Sequence, residues 1–163
     1  IFISLYIIMV AIEIWGNATW NLLHGLVEKF NSKYYENNKN TLINIIINIC
    51  NNLPCPDCRD HANIFFKKYN INKCYNKELL ERYLFEMHND VNRRTNKKIF
   101  SKENLHEKYS KINFVNVLNS FFSIYNSHNN IGAPRMMMYS SMKHVFLKNL
   151  KNDIKKIYIY LEN

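Results

Sequence analysis

Apolar residues recur at helical spacing in four successive stretches before residue 100. Almost nothing interrupts them: the 163-residue chain contains three glycines and three prolines. So little turn chemistry, with a period near 3.6, restricts the chain to helices and argues against a turn-rich β fold. Trp20, Leu23, Val27 and Phe30 form one face of a helix expected from about Ala18 to Lys33. Leu42, Ile45, Ile46 and Ile49 form a second. Their β-branched content would suit a strand, but the i, i+3, i+4, i+7 spacing favours helix. Cys58, Ala62, Phe65 and Tyr69 mark a third, and Leu79, Leu80, Tyr83, Leu84, Met87 and Val91 a fourth, from about Lys77 to Thr95. There is no βαβ alternation and no internal repeat. The expected fold is all-α, a four-helix bundle.

Beyond Phe100 the pattern continues more loosely. Residues 111–126, with Phe114, Val117, Leu118, Phe121, Phe122 and Tyr125, read as a further apolar helix. Ser127 to Pro134 reads as a loop, and Met136 to Leu161 as a last helix with lysines at 143, 148, 151, 155 and 156. Met136, Met137 and Met138 are expected to fill gaps in a core. Ile1 to Ile12 is apolar but too short to span a bilayer, and no basic stretch precedes it, so neither a membrane span nor a secretory signal is expected. Met9 is a candidate native start, with residues 1–8 an upstream extension. The heavy use of Asn, Lys, Ile and Tyr reads as drift in an AT-rich genome, often viral or parasitic.

The chain carries 22 Lys+Arg against 13 Asp+Glu, a formal net charge of +9. That suits an anionic ligand or partner, but no nucleic-acid-binding motif accompanies it. Four cysteines, at 50, 55, 58 and 74, are too few for a disulfide scaffold.

The chemistry concentrates in Cys55-Pro56-Asp57-Cys58, followed by His61. Two thiols three apart can form a reversible disulfide. Leu53-Pro54 leads into the run, and Pro56 suits the first position of a helix. Cys55 would then cap the helix and Cys58 sit in its first turn, where orphan N–H groups and the dipole favour a thiolate. Such a pair is either a redox site or half of a metal site. Two further constellations stand out. His88 and Asn92 share a helical face in His88-Asn89-Asp90-Val91-Asn92, with Lys97 and Lys98 beyond. They could meet a flat heteroaromatic ring and phosphates. Equally, Arg93, Arg94, Lys97 and Lys98 could simply complement a helix C-terminus. The only two tryptophans, Trp15 and Trp20, lie with Gly16 and His24 in one crowded patch, either core or a platform for a cofactor ring.

Together, WGxxxWxxxH, CPxCxxH and HNxVN followed by a Lys and a Phe resemble the Erv/ALR flavin-linked sulfhydryl oxidases, over roughly residues 13–110. The short form is most similar to the enzymes of large DNA viruses and their satellites. The resemblance implies a four-helix bundle with a short fifth helix, an FAD-binding oxidase core over 1–110, and an additional helical segment over 111–163 packed on it. It implies that Trp15, Gly16, Trp20, His24, His61, His88, Asn89, Val91, Asn92, Lys97 and Tyr109 hold FAD, with no catalytic metal. Cys58 would be the sulfur beside the flavin and Cys55 the sulfur that substrate attacks. Electrons would pass from a dithiol protein, thioredoxin-like or a viral redox protein, through FAD to oxygen. It implies a homodimer through the apolar face of the first two helices, no nucleic acid or membrane partner, and a location in host cytoplasm or virion if the chain is viral.

The sequence also departs from the family. Where many cellular members carry a structural disulfide, this chain has Phe85 and Lys102. Thr95 and Lys98 replace the usual Leu and Pro, and Tyr109 stands where a Trp is usual. No second CxxC or CxC is present to act as a shuttle. Cys50 is expected to be a buried inert thiol and Cys74 an exposed loop thiol. Two rivals remain: a structural zinc site completed by His61 and Cys74, or a basic helical module that binds nucleic acid.

Overall fold

The computed structural model describes the backbone over residues 2–127 and 134–162, and side chains over 13–127 and 142–162. Seven α-helices follow one another: α1 Phe2–Lys29, α2 Tyr35–Asn51, α3 Pro56–Lys68, α4 Lys77–Arg94, α5 Lys102–Ser110, α6 Phe114–Ser127 and α7 Pro134–Ile157. No strand occurs among the described residues, and the sole extended pairing is an isolated bridge between Phe30 and Leu161. The fold is a helical bundle, as the periodicity requires.

Boundaries moved where capping overrode periodicity. α1 begins at Phe2 rather than Ala18, because the apolar run before Trp15 contains no breaker and Gly16 alone does not stop a helix. It ends at Lys29, short of Lys33, where Asn31 caps a 3₁₀ turn by accepting from Lys33 N. α6 starts at Phe114 because the Asn113 side chain accepts the N–H of Asn116 at 3.0 Å. α7 ends at Ile157, and a 3₁₀ turn, Tyr158–Tyr160, swings the chain back. There Glu162 N donates to Lys29 O at 2.7 Å and Asn31 N to Tyr160 O at 2.9 Å. The methionines at 136–138 and most of the expected 127–134 loop lie outside the described side chains or residues.

α1 is the central element. It packs against α4, α5 and α6, while α2 packs against α3 and α7. Leu22, Leu23, Leu26, Val27 and Phe30 of α1, and Leu42, Ile45, Ile46 and Ile49 of α2, are at most 2% exposed. α6 covers α1 with Phe114, Phe121 and Tyr125, and the Tyr125 hydroxyl shares a 2.8 Å hydrogen bond with Thr19. α7 contributes Phe146, Leu147, Leu150, Ile154 and Ile157 to the same continuous core. Among the described residues, the buried apolar side chains of α1 and α2 pack within the chain. Cys74 also departs from expectation. It is buried, capping a 3₁₀ turn over Ile71–Lys73, with its carbonyl accepting from the Tyr35 hydroxyl at 2.8 Å.

Candidate active site

The approach to α3 is stiff. Leu53 is buried, and Arg59 Nη1 donates to its carbonyl at 2.7 Å. Cys55 is the N-cap, with an extended backbone, and its Sγ accepts the Cys58 N–H at 3.2 Å. Pro56 follows in the first turn, where its missing N–H costs nothing. Cys55 and Cys58 form a disulfide with Cα atoms 5.2 Å apart. A thiolate released from Cys58 would lie within the first turn, where free N–H groups and the dipole lower its energy.

Beside this disulfide lies a cavity of about 780 Å³, within the range that encloses ligands of cofactor size. Cys58 lines it and Cys55 does not. Its walls come from α1 (Trp15, Gly16, Trp20), α3 (His61, Ala62, Phe65) and α4 (His88, Val91, Asn92). Arg94, Lys97, Lys98 and Lys108 supply cations around it.

α4 delivers this rim through its C-terminal turn. Asn96 has φ 55°, a left-handed conformation that Asn tolerates. Lys97 N then donates to Asn92 O at 2.8 Å and Asn96 N to Arg93 O at 3.3 Å, closing the helix end. Asn89 locks the segment beyond that turn. Its Oδ1 accepts from Phe100 N at 2.9 Å and its Nδ2 donates to Phe100 O at 3.1 Å. Both backbone groups of Phe100 are thereby satisfied, which fixes the link from α4 to α5.

From the cavity wall inward runs an aromatic column, with Trp20, His88 and Phe100 in the wall and His24 and Tyr109 behind it. Trp20 stacks on His88 with centroids 4.0 Å apart and planes 5° from parallel. His88 also meets Phe100 at 4.9 Å, and His24 stacks on Tyr109 at 4.6 Å. His24 Nε2 and His88 Nδ1 are 3.1 Å apart and share a proton-bearing contact. Burial, reinforced by Lys108 and Lys97, pulls His88 down to about 3. Burial, then His88 and Lys108, holds His24 well below the usual imidazole range. Both rings are neutral at pH 7. The Tyr109 hydroxyl is buried and has no protein hydrogen-bond partner.

Of the thirteen residues the sequence singled out, nine line the cavity: Trp15, Gly16, Trp20, Cys58, His61, His88, Val91, Asn92 and Lys97. His24, Asn89 and Tyr109 stand behind that wall, and Cys55 outside it. Sequence reasoning missed Lys108, which reaches the cavity from α5. Its Nζ sits 5.4 Å from the Phe100 ring centroid, a placement that only the fold-back of α5 creates. It also missed Cys50, which lines the cavity from the end of α2 and whose thiol burial pushes up to about 12. The zinc alternative loses its ligands: Cys55 and Cys58 are bonded to each other. No group of three or more metal-ligating side chains gathers among the described residues.

A helical bundle that presents a CxxC disulfide at a helix N-terminus, with one of its two cysteines lining a cofactor-sized cavity, defines a disulfide redox protein. The chain belongs to the Erv1 / Alr family, whose model matches residues 17–110. It is similar to a putative FAD-linked sulfhydryl oxidase of Invertebrate iridescent virus 3, at 29% identity over 60% of this chain and 66% of that one. It is also similar to the FAD-linked sulfhydryl oxidase of African swine fever virus (isolate Pig/Kenya/KEN-50/1950), at 33% identity over 65% of this chain and 97% of the viral one. The mitochondrial FAD-linked sulfhydryl oxidase erv1 of Schizosaccharomyces pombe shares 29% identity over 60% of this chain and 54% of its own length. No solved structure matches the chain at comparable significance. No helix among the described residues is long and apolar enough to cross a membrane.

Proposed function

We propose that the Cys55–Cys58 disulfide and the cavity beside it form the active centre of an FAD-linked sulfhydryl oxidase. One observation carries this reading: of the two bonded cysteines, Cys58 lines the cavity and Cys55 does not. A disulfide so divided can take electrons on its outer side and deliver them on its inner side.

The residues present fit FAD. The flat faces of Trp20 and His88 suit an aromatic ring system. The neutral imidazole of His88 and the amide of Asn92 offer hydrogen bonds without charge repulsion. Arg94, Lys97, Lys98 and Lys108 suit a diphosphate. FAD bound there would accept the two electrons from the reduced pair and pass them to oxygen, giving hydrogen peroxide.

The protein's own chemistry is thiol–disulfide exchange. A substrate thiolate attacks Cys55 Sγ, forming a mixed disulfide. The Cys55–Cys58 bond breaks and Cys58 leaves as a thiolate, favoured by the N-terminal turn of α3. The second substrate thiolate then attacks the mixed disulfide and releases Cys55. The substrate leaves with one new disulfide, two electrons have moved to the cysteine pair, and the two thiol protons pass to solvent. The division of the cavity supports Cys55 as the attacked sulfur and Cys58 as the inner one. His61, Trp15, Gly16 and Val91 would hold the ring by contact. His24, Asn89 and Tyr109 would hold it through the residues they pack against.

In this reading residues 1–110 are the oxidase core and 111–163 a helical addition. The partners are a dithiol protein and oxygen, and the viral relatives support action in a host cytoplasm or virion. Purified protein should be yellow, with about one FAD per chain, and should consume oxygen when given dithiothreitol. Folded protein that neither retains nor takes up FAD would refute the reading.

A further inference from the structure

A second depression, about 380 Å³, lies between the C-terminal end of α2 and α7. Asn48 and Asn52 form one wall, and Met142, Val145, Phe146 and Asn149 the other. Met142 and Val145 are apolar yet 58% and 57% exposed. The α2 wall runs directly into Leu53-Pro54-Cys55. Asn52 precedes Cys55 by three residues, at most about 11 Å of chain. The link is held at both ends, by Asn52 N on Ile49 O at 3.1 Å and by Arg59 on Leu53 O. One wall of the depression therefore lies within about 11 Å of Cys55 along a chain segment that is held in place.

We propose that this groove receives the stretch of a substrate protein that flanks its dithiol, a stretch of apolar and acidic residues. The proposal rests on the oxidase reading and gives that reaction a means of choosing substrates. Met142 and Val145 offer apolar contact, and an unbranched Met side chain adapts to varied partners. Asn149 carries an amide, a group that matches a peptide backbone, while Asn48 Oδ1 already accepts from Asn52 Nδ2 at 3.0 Å. Charge selects the sign of the partner. From residue 142 to its end, α7 carries lysines at 143, 148, 151, 155 and 156 against one carboxylate, Asp153, which is paired with Lys156 at 2.7 Å. Lys148 is exposed, next in sequence to the groove residue Asn149. An acidic segment is drawn to such a helix and a basic one repelled. α7 lies beyond the residues the family model matches, while the α2 wall lies within them.

The test uses the full flavin-loaded chain and two synthetic peptides. One is Glu-Leu-Glu-Leu-Cys-Gly-Gly-Cys in its reduced form, and the other has Lys in place of both Glu. Versions with Ser for Cys, carrying a fluorophore, report binding by anisotropy without any turnover. The acidic peptide should bind about tenfold more tightly than the basic one, a difference of about 1.4 kcal/mol, and the gap should shrink as salt is added. The double variant Met142→Asp, Val145→Asp should lose that binding and most of the kcat/KM for the acidic peptide. Oxidation of dithiothreitol should be unchanged, because both replaced side chains are exposed and no small dithiol needs the groove. Equal binding of the two peptides, or binding that survives in the variant, would overturn the proposal. So would an equal loss of dithiothreitol and peptide turnover in the variant. Peptide binding without any thiol oxidation by the wild-type chain would leave the groove standing and refute the oxidase reading instead.

Discussion

Cys55 and Cys58 sit one helical turn apart but face different surroundings, and substitution should expose the difference. In Cys55→Ser, Cys58 remains as a free thiol against the cavity, where a thiolate beside bound flavin should give a long-wavelength charge-transfer band. In Cys58→Ser no thiolate faces the cavity, so the band should be absent. Both variants should lose oxidase activity while retaining FAD. A band in Cys58→Ser alone would reverse the assignment of the two sulfurs. The buried histidines make a separate prediction. His88 has a folded pKa of about 3 against about 6.5 when unfolded. Below pH 6.5 the unfolded chain therefore binds more protons than the folded one, and stability falls with pH. The His88 contribution lost at pH 5 is about 2 kcal/mol, and His24 acts in the same direction. Urea unfolding at pH 7 and pH 5 should show this loss, and His88→Gln should remove about 2 kcal/mol of the difference. An unchanged difference would mean that His88 protonates in the folded state like an exposed imidazole.

At the scale of elements, the link between α4 and α5 decides whether the rim of the cavity has a shape. Asn89 makes two hydrogen bonds to one backbone residue, Phe100. Asn89→Ala would leave the half-buried N–H and C=O of Phe100 unpaired, at a cost of about 1 kcal/mol per group. The expected result is a lowered Tm together with weaker FAD binding by titration, while Glu86→Ala, at an exposed position of α4 outside the cavity lining, should change neither. Asn89→Ala with full FAD affinity would confine Asn89 to a fold role. Much of this was legible in the sequence. The proline after Cys55 located the start of α3, because only a helix N-terminus accommodates it so readily. The 3.6 period located the faces of α2 and α4. Other features were not legible, for a physical reason. Asn89 bonds a residue eleven positions away, and Lys108 reaches the cavity only after α5 folds back. Cys74 looked like a loop thiol because nothing local signals that Tyr35, distant in sequence, will cover its turn. The double role of α1, core on one side and cavity wall on the other, also blurs any amphipathic signal.

At the scale of the whole molecule, the question is what residues 111–163 do for the oxidase core. Periodicity located helices there but could not say what they cover. Eight of their described side chains are buried: Phe114, Phe121, Tyr125, Phe146, Leu147, Leu150, Ile154 and Ile157. Burial of one such side chain is worth about 1.5–3 kcal/mol. Losing eight would remove about 12–24 kcal/mol of burial, comparable with or above the 5–15 kcal/mol by which a domain is usually stable. The loss would also bare the apolar side chains of α1 and α2 that these eight cover, and contiguous apolar patches on soluble monomers mark association sites. A chain ending at Ser110 should therefore either fail to fold or associate through that face, which the described side chains of α6 and α7 cover in the full chain. Light scattering after size exclusion should show the truncated chain as dimers or larger species. The full chain, of 19.6 kDa, should not share that association. Tyr125→Phe tests the same contact without stripping it. It removes the hydrogen bond to Thr19 and should cost about 1 kcal/mol of stability, with oxidase activity kept. A truncated chain that stays monomeric and melts with the full one would show that α6 and α7 are passengers. The core would then be the self-sufficient unit that the resemblance alone implies.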